Sequence, residues 1–148
     1  MADSSFSGAV DAWVLETKAR QEAIFKTAAQ YVAEDVIDRV PVDTGFLRAS
    51  FTASLVEPPQ IRPDATPPKD AGKGSIPPAE NYSLVIANSK LGDTIHFGFV
   101  AAYALYVEYG TRGRKGALMV GLSVQRWPQH VAKAVRAAKA AVASRSKK

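Results

Sequence analysis

The sequence predicts an α+β fold in which two long helices lie on a small antiparallel β-sheet. Apolar residues recur at helical spacing over 6–38 and again from about residue 118 onward. Between these segments, short stretches alternate apolar and polar residues, as half-buried strands do. A length of 148 residues suits one domain over 1–148, with enough chain to bury a core of its own.

The first predicted element is an amphipathic helix over 6–38. Val10, Trp13 and further apolar residues fall on one broad face, and Ser7 is a plausible N-cap. Pro41 ends the helix, because the residue before a proline is pushed out of the helical region. Such a helix is about 50 Å long, more than a small domain covers. We therefore expect part of its apolar stripe to contact another molecule.

Three strands are predicted next, over 47–55, 82–88 and 94–100, the last two forming a hairpin across turn-forming residues. The segment 58–80 separates the first strand from this hairpin, and seven of the nine prolines lie in it. That composition predicts a long extended or disordered loop that cannot pack internally. We expect it to dock on a neighbouring molecule.

A short helix over 103–109 is predicted to end at Gly110, where a left-handed residue is needed. The glycine-rich residues 112–116 indicate a flexible basic loop. A frayed basic tail is expected over 143–148.

The segment 117–127 is ambiguous, because its apolar residues fit both a strand and a helix. We favour a helix from about Leu118 that is kinked near Pro128. The alternative is a strand to Arg126, followed by a helix with Pro128 near its first turn.

The net charge of +5 is unevenly distributed along the chain. Residues 1–57 carry a balance of −4, whereas ten bases and no acid follow from Arg112 onward. The basic segment is either a solvated helix with a frayed tail or a surface that meets DNA or an acidic neighbour. No helix-turn-helix spacing is present, so any DNA contact is expected to be independent of sequence. The candidate contact residues are Arg112, Arg114, Lys115, Arg126, Lys133, Arg136 and Lys139.

Enzymatic and metal-binding chemistry have little support. Cysteine is absent, and the two histidines are interpreted as a half-buried strand residue (His96) and a solvent-facing residue (His130), so neither a metal site nor a cofactor is predicted. Asp43-Thr44-Gly45 has the spelling of the aspartic-protease loop, but a single copy would require a homodimer. We favour a turn in which Asp43 accepts backbone donors and Gly45 adopts positive φ. No signal peptide or membrane-spanning run is expected.

Two stretches together resemble a phage protein family. Val40-Pro41-Val42-Asp43-Thr44-Gly45-Phe46-Leu47-Arg48 and Tyr103-Ala104-Leu105-Tyr106-Val107-Glu108-Tyr109-Gly110-Thr111 are similar to two segments of neck or tail-completion proteins of long-tailed bacteriophages. The signature positions are Pro41, Asp43, Thr44, Gly45, Leu47, Tyr106, Glu108, Gly110 and Thr111.

The resemblance implies a non-enzymatic virion protein, made in the host bacterial cytoplasm, that forms a hexameric or dodecameric ring at the phage neck. Such a ring joins head-side connector proteins to the tail terminator or tail tube, and genomic DNA passes through its lumen without sequence-specific contacts. Copy number, ring orientation and the choice between neck ring and tail terminator stay open. Glu108 is expected to have a structural role, accepting hydrogen bonds near Thr111 or pairing with Arg48.

The charge distribution suggests how subunits of a ring would meet. The basic segment would be compensated either by DNA phosphates or by acids on a neighbouring subunit, and we favour the neighbour. The candidate acids are Asp11, Glu16, Glu22, Glu34 and Asp38.

Overall fold

The structure is a computed structural model that describes residues 2–146, with side chains over 6–145. Its elements are α1 (Ala2–Arg39), α2 (Phe46–Ala49), β1 (Phe51–Ser54), α3 (Asn81–Asn88), β2 (His96–Phe99), α4 (Ala104–Tyr109), β3 (Gly110–Thr111), β4 (Arg114–Lys115), α5 (Met119–Gln125) and α6 (Trp127–Ser146). The predicted α+β architecture is confirmed. None of the helices in this range combines the length and apolarity needed to cross a membrane.

The two long helices form an antiparallel pair. Asp35 on α1 contacts His130 on α6, and Tyr31, one turn earlier, lies under Lys133, one turn later. α1 has 38 residues and is about 57 Å long. Its buried residues begin at Ala28, so only its second half packs into the domain. The long first helix was predicted correctly, but it begins at Ala2, so the predicted N-cap Ser7 lies inside the helix and that part of the prediction is wrong.

The central sheet has two antiparallel strands, β1 and β2, with Phe51 opposite Phe99. The Phe51 ring is fully buried and contacts the rings of Tyr82, Phe97 and Phe99 at centroid distances of 5.2–5.5 Å. These aromatic side chains join the sheet to α1 and α3 in one hydrophobic core.

The structure differs from the prediction for two of the three strands. The strand over 47–55 begins only at Phe51, because a helical turn, α2, precedes it and Ser50 donates its N–H to the carbonyl of Phe46. The segment 82–88 is helix α3, with Tyr82 and Ile86 buried four residues apart on one face. The predicted hairpin is therefore wrong, and β2, which confirms the strand over 94–100, pairs with β1 instead.

The Pro-rich segment 58–80 contains no helix or strand, as predicted. It is nevertheless packed on the domain. The Ala102 N–H donates to the buried Ala65 at 2.9 Å, and the Ile76 N–H donates to the carbonyl of Thr44 at 3.0 Å. The expectation that this loop cannot pack internally is wrong, since its backbone groups find partners on the core elements.

The C-terminal part confirms helix α4 and a helix beginning near Leu118. The helical path breaks at Arg126, and Pro128 occupies the first turn of α6, where a missing N–H costs no hydrogen bond. The predicted flexible loop over 112–116 is instead a tight hairpin of β3 and β4. α6 is helical to Ser146, and residues 147–148 of the predicted tail lie outside the described residues.

Candidate functional site

The fold brings the two signature segments together. The Phe46 ring lies 6.4 Å from the Tyr103 ring, and Pro41 lines one cleft with Tyr103 and Tyr106. We call the region formed by residues 41–47 and 103–111 the signature junction. It joins the end of α1 to α4, so it fixes how the central part of the chain sits on the long helix.

Gly45 fits this junction because of its backbone conformation. Its φ is +94°, in the left-handed region that favours glycine, as predicted. A Cβ at this position would collide with the carbonyl oxygen of Ile76, which belongs to the Pro-rich loop. The glycine therefore permits both the turn and the close approach of the loop.

Thr44 and Asp43, the signature residues before Gly45, make different hydrogen bonds in the turn. The Thr44 hydroxyl accepts a hydrogen bond from the Phe46 N–H at 3.2 Å, the role predicted for the Asp43 side chain. Asp43 is exposed, and its backbone carbonyl accepts a hydrogen bond from the Gly74 N–H at 2.6 Å. Asp43 follows a helix and a turn, whereas the aspartic-protease loop follows a buried strand.

The Asp43 charge still reaches the second signature segment. Burial raises the pKa of the Tyr103 hydroxyl, the Leu47 backbone N–H opposes this rise, and the negative charge of Asp43 adds to it. The Leu47 backbone N–H thus joins the Tyr103 hydroxyl to the first signature segment.

Glu108 links the junction to α5. Its Oε2 accepts the Val120 N–H and its Oε1 accepts the Gly121 N–H, each at 3.0 Å, and the residue is only 8% exposed. Both donors belong to the first turn of α5, where N–H groups lack partners within the helix and a negative charge is favourable. The predicted partners near Thr111 and at Arg48 were wrong, because the carboxylate instead accepts hydrogen bonds from α5.

Of the remaining signature positions, Leu47 is buried in the core, whereas Pro41, Tyr106, Gly110 and Thr111 lie at or near the surface. Gly110 has φ +86°, and a Cβ there would collide with the carbonyl of Arg114 across the hairpin. Tyr106 and Thr111 are exposed, and both line the cleft beside Pro41. These side chains are therefore free for contacts outside the single chain.

The predicted basic contact residues separate into two groups. Arg112, Arg114 and Lys115 are exposed on the β3–β4 hairpin. Arg126, Lys133, Arg136 and Lys139 lie along the C-terminal helical segment, and all four are exposed.

Three bases of the second group face acids of the same chain. Arg126 lies 3.7 Å from Asp35, and Lys133 and Arg136 line a cleft with Glu34 and Asp38. Two of the acids expected to act from a neighbour, Glu34 and Asp38, thus lie beside α6 within one subunit. Compensation of these bases by acids of a neighbouring subunit stays a prediction.

His130 is buried in this charged cleft, so its predicted solvent-facing position is wrong. Its Nε2 lies 3.1 Å from Oδ2 of Asp35. Burial acts to raise the pKa of Asp35, but the hydrogen bond to His130 and the charges of Arg39 and Arg126 outweigh it and hold this pKa below its ordinary value. The sequence signal was available: Asp35 follows Ala28 and Tyr31 at helical spacing on the face that meets α6.

His96 lies at the start of β2 and is half-buried, as predicted. Among the side chains of residues 6–145, no group of three His, Asp or Glu is arranged to hold a metal ion. The geometry of the signature junction consists of packing, turn and capping contacts, which fix the relative positions of α1, α4 and α5.

Comparison with known proteins gives one family. The family model described as "Bacteriophage HK97-gp10, putative tail-component" matches residues 11–110, a range that contains the first signature segment and all of the second except Thr111. No curated protein and no solved structure matches the chain. The match covers more than half of the chain, so this protein belongs to the HK97-gp10-like family of structural tail components of the bacteriophage virion.

Proposed function

We propose that this chain is the subunit of a ring at the phage neck, which joins the DNA-filled head to the tail and lets DNA pass. Family membership supports a structural place in the virion. The observation that carries the ring is the first half of α1, where Phe6 is 74% and Trp13 is 65% exposed although both occupy the apolar stripe. Large exposed apolar residues on one helix face mark a surface for another molecule.

Head-to-tail contacts suit the charge distribution of such a subunit. The N-terminal segment is acidic, whereas the β3–β4 hairpin displays Arg112, Arg114 and Lys115. Contacts between two different surfaces of identical subunits generate a closed ring when the rotation between subunits closes. A hexamer or a dodecamer would meet this condition, with head-side connector proteins on one face and the tail terminator or tube on the other.

The proposal assigns no catalytic activity to the chain. Asp43 lies on an exposed turn, and its backbone carbonyl is bound by the Pro-rich loop. Purified protein should cleave no peptide, and Asp43→Asn should leave any background unchanged. Peptide cleavage that pepstatin blocks and Asp43→Asn abolishes would restore the protease hypothesis.

Electron microscopy of phage produced without this protein tests the neck assignment. We expect filled heads and separate tails of normal length, which join when purified protein is added. Tails of uncontrolled length would assign the chain to the tail terminator instead. Complete, joined particles would contradict the proposal.

Sequence-independent DNA binding is the second candidate, and the β3–β4 hairpin favours it. None of its three bases forms an ion pair with any residue in the described range. If DNA were the partner, duplex binding should weaken steeply between about 50 and 200 mM salt through counterion release. Replacing Arg112, Arg114 and Lys115 by Gln should then abolish that binding without changing the mass of the assembled ring.

A further inference from the structure

The N-terminal arm, residues 2–16 of α1, extends beyond the part of the molecule that α6 covers. The pairings of Asp35 with His130 and of Tyr31 with Lys133 fix the antiparallel alignment. With equal rise per residue in both helices, Ser146 lies level with about residue 19 of α1. The arm therefore has no length of α6 beside it in the described part of the chain.

The arm carries an apolar stripe of its own. Phe6, Val10 and Trp13 follow one another at spacings of four and three residues and are all exposed. This spacing continues the stripe of Ala28 and Tyr31, which meets α6 farther along the helix. The stripe thus has a partner helix in one half of α1 and lacks one in the arm.

An apolar groove lies between α1, the β1–β2 sheet, α4 and α5. It consists of two adjoining depressions of about 340 and 460 Å³, which share Gly98, Val120 and Val124. Val124 and Trp127 are exposed at one part of the groove. Leu105, Tyr109 and Leu118 are exposed at the other part. Glu108 is the one acidic residue of the lining, which contains no Lys, Arg or His, and both of its carboxylate oxygens already accept α5 backbone N–H groups.

We infer that the arm of one subunit lies in the apolar groove of the next subunit. The arm cannot fill the groove of its own chain, because α1 is one continuous helix from Ala2 to Arg39. Phe25, which lines the groove, is twelve residues from Trp13, about 18 Å along that rigid helix. An amphipathic helix placed in an apolar groove is a common mode of protein recognition.

Charge favours the groove over a second arm as the partner. The arm contains Asp3, Asp11 and Glu16 and no base, so two arms side by side would repel each other. The groove has no free acid in its lining, and the basic β3–β4 hairpin begins directly after Tyr109 at its edge. An acidic arm is therefore attracted to this end of the groove.

Arm and groove are different surfaces of one chain, so their contact is head-to-tail and leaves a free arm and a free groove at the ends of any open assembly. The inference rests on the proposed ring and specifies its subunit contact. Trp13 is an aromatic anchor of the kind that dominates interface energetics when its pocket excludes water.

Cysteine cross-linking tests the contact directly, because the natural sequence has no cysteine. One preparation carries Val10→Cys and a second carries Val124→Cys, and the two are mixed and treated with a short thiol-reactive cross-linker. A covalent dimer should form in the mixture and not in either preparation alone. Leu15→Cys replaces Val10→Cys in the control, because Leu15 is 69% exposed but points away from the stripe.

Light scattering of Trp13→Glu and Leu15→Glu gives a second readout. Both substitutions add one negative charge to an exposed apolar position. Trp13→Glu should weaken subunit association by at least tenfold, whereas Leu15→Glu should leave the assembled mass unchanged.

Each contrary result has a distinct meaning. Cross-linking of Val10→Cys to itself would show arm-to-arm packing and overturn the inference. Rings that persist in Trp13→Glu, with no cross-link to Val124→Cys, would also overturn it while the proposed ring stands. A wild-type chain that stays monomeric would overturn both the ring and its arm contact.

Discussion

The signature junction and the N-terminal arm differ in the burial of their side chains and in the range of their hydrogen bonds along the chain. At the junction, Gly45 and Leu47 are buried, and the Glu108 carboxylate accepts two backbone N–H groups. In and next to the arm, the side-chain hydrogen bonds are local, since Thr17 to Trp13 and Arg20 to Glu16 each span four residues. The junction therefore stabilises the single chain, whereas the arm adds little to the stability of that chain and is available for association.

Gly45→Ala should have the largest effect on the single chain. An alanine here would have to adopt positive φ, which a residue with a Cβ disfavours, and its Cβ would collide with the Ile76 carbonyl. We therefore expect the free energy of unfolding to fall by about 3 kcal/mol or more. Gly74→Ala is the matched control, because Gly74 also has positive φ but faces open space. It should cost about 1–2 kcal/mol. Equal losses in urea unfolding would show that the Ile76 contact is unimportant.

Glu108→Gln should have the next largest effect. The amide retains one acceptor oxygen and places an N–H₂ group against the second α5 donor, so we expect a loss of about 2 kcal/mol. Glu80→Gln serves as the control, because Glu80 is exposed and makes no side-chain cap to α3. If thermal unfolding showed the same small change for both variants, Glu108 would not hold α5 in place.

Asp35→Asn should have a smaller effect on the free energy of unfolding, and this effect should depend on pH. The folded-state pKa of Asp35 is lowered, so its contribution to stability is present above its ordinary value of about 3.9 and is lost as pH falls through the lower folded-state value. We expect Asp35→Asn to lower the free energy of unfolding by about 1 kcal/mol at pH 7. The difference from wild type should vanish as the solution is acidified below about pH 4. A constant difference down to pH 2 would contradict the pairing of the Asp35 carboxylate with His130 and Arg126.

Trp13→Ser should have the smallest effect on the single chain. At dilutions where subunits are dissociated, its unfolding free energy should lie within about 0.5 kcal/mol of wild type, because Trp13 is exposed. Chemical unfolding monitored by circular dichroism measures this difference. A loss of about 2 kcal/mol or more would place Trp13 in the core of the single chain and remove the contrast with the junction.

Elements that repeat their apolar spacing many times were predicted better from the sequence than short elements. The helix over 6–38 repeats its apolar spacing many times, so its existence and its excess length were both evident. Over 82–88, only Tyr82 and Ile86 are buried while Leu84 is exposed, and so short a stretch fits a strand and a helix equally well. Packing against β1 and α1 decides between them, and no local pattern reports it.

In the candidate site, too, local features could be predicted from the sequence, whereas contacts between distant residues could not. Positive φ at Gly45 and a structural role for Glu108 were local properties that the motifs indicated. The partners of Glu108 are backbone groups twelve and thirteen residues later, and their position depends on how the chain turns through the β3–β4 hairpin. The Asp35–His130 contact joins residues 95 positions apart, so it depends on the alignment of α1 with α6.

The mass of the wild-type protein in solution reports directly whether its subunits assemble. We expect neighbouring subunits of a ring to cover the N-terminal arm and the apolar groove, which the single chain leaves exposed. Light scattering coupled to size exclusion should give one species whose mass is a fixed multiple of the 15.8 kDa chain, with six or twelve copies expected. A single species of 15.8 kDa that persists at high protein concentration would contradict this expectation.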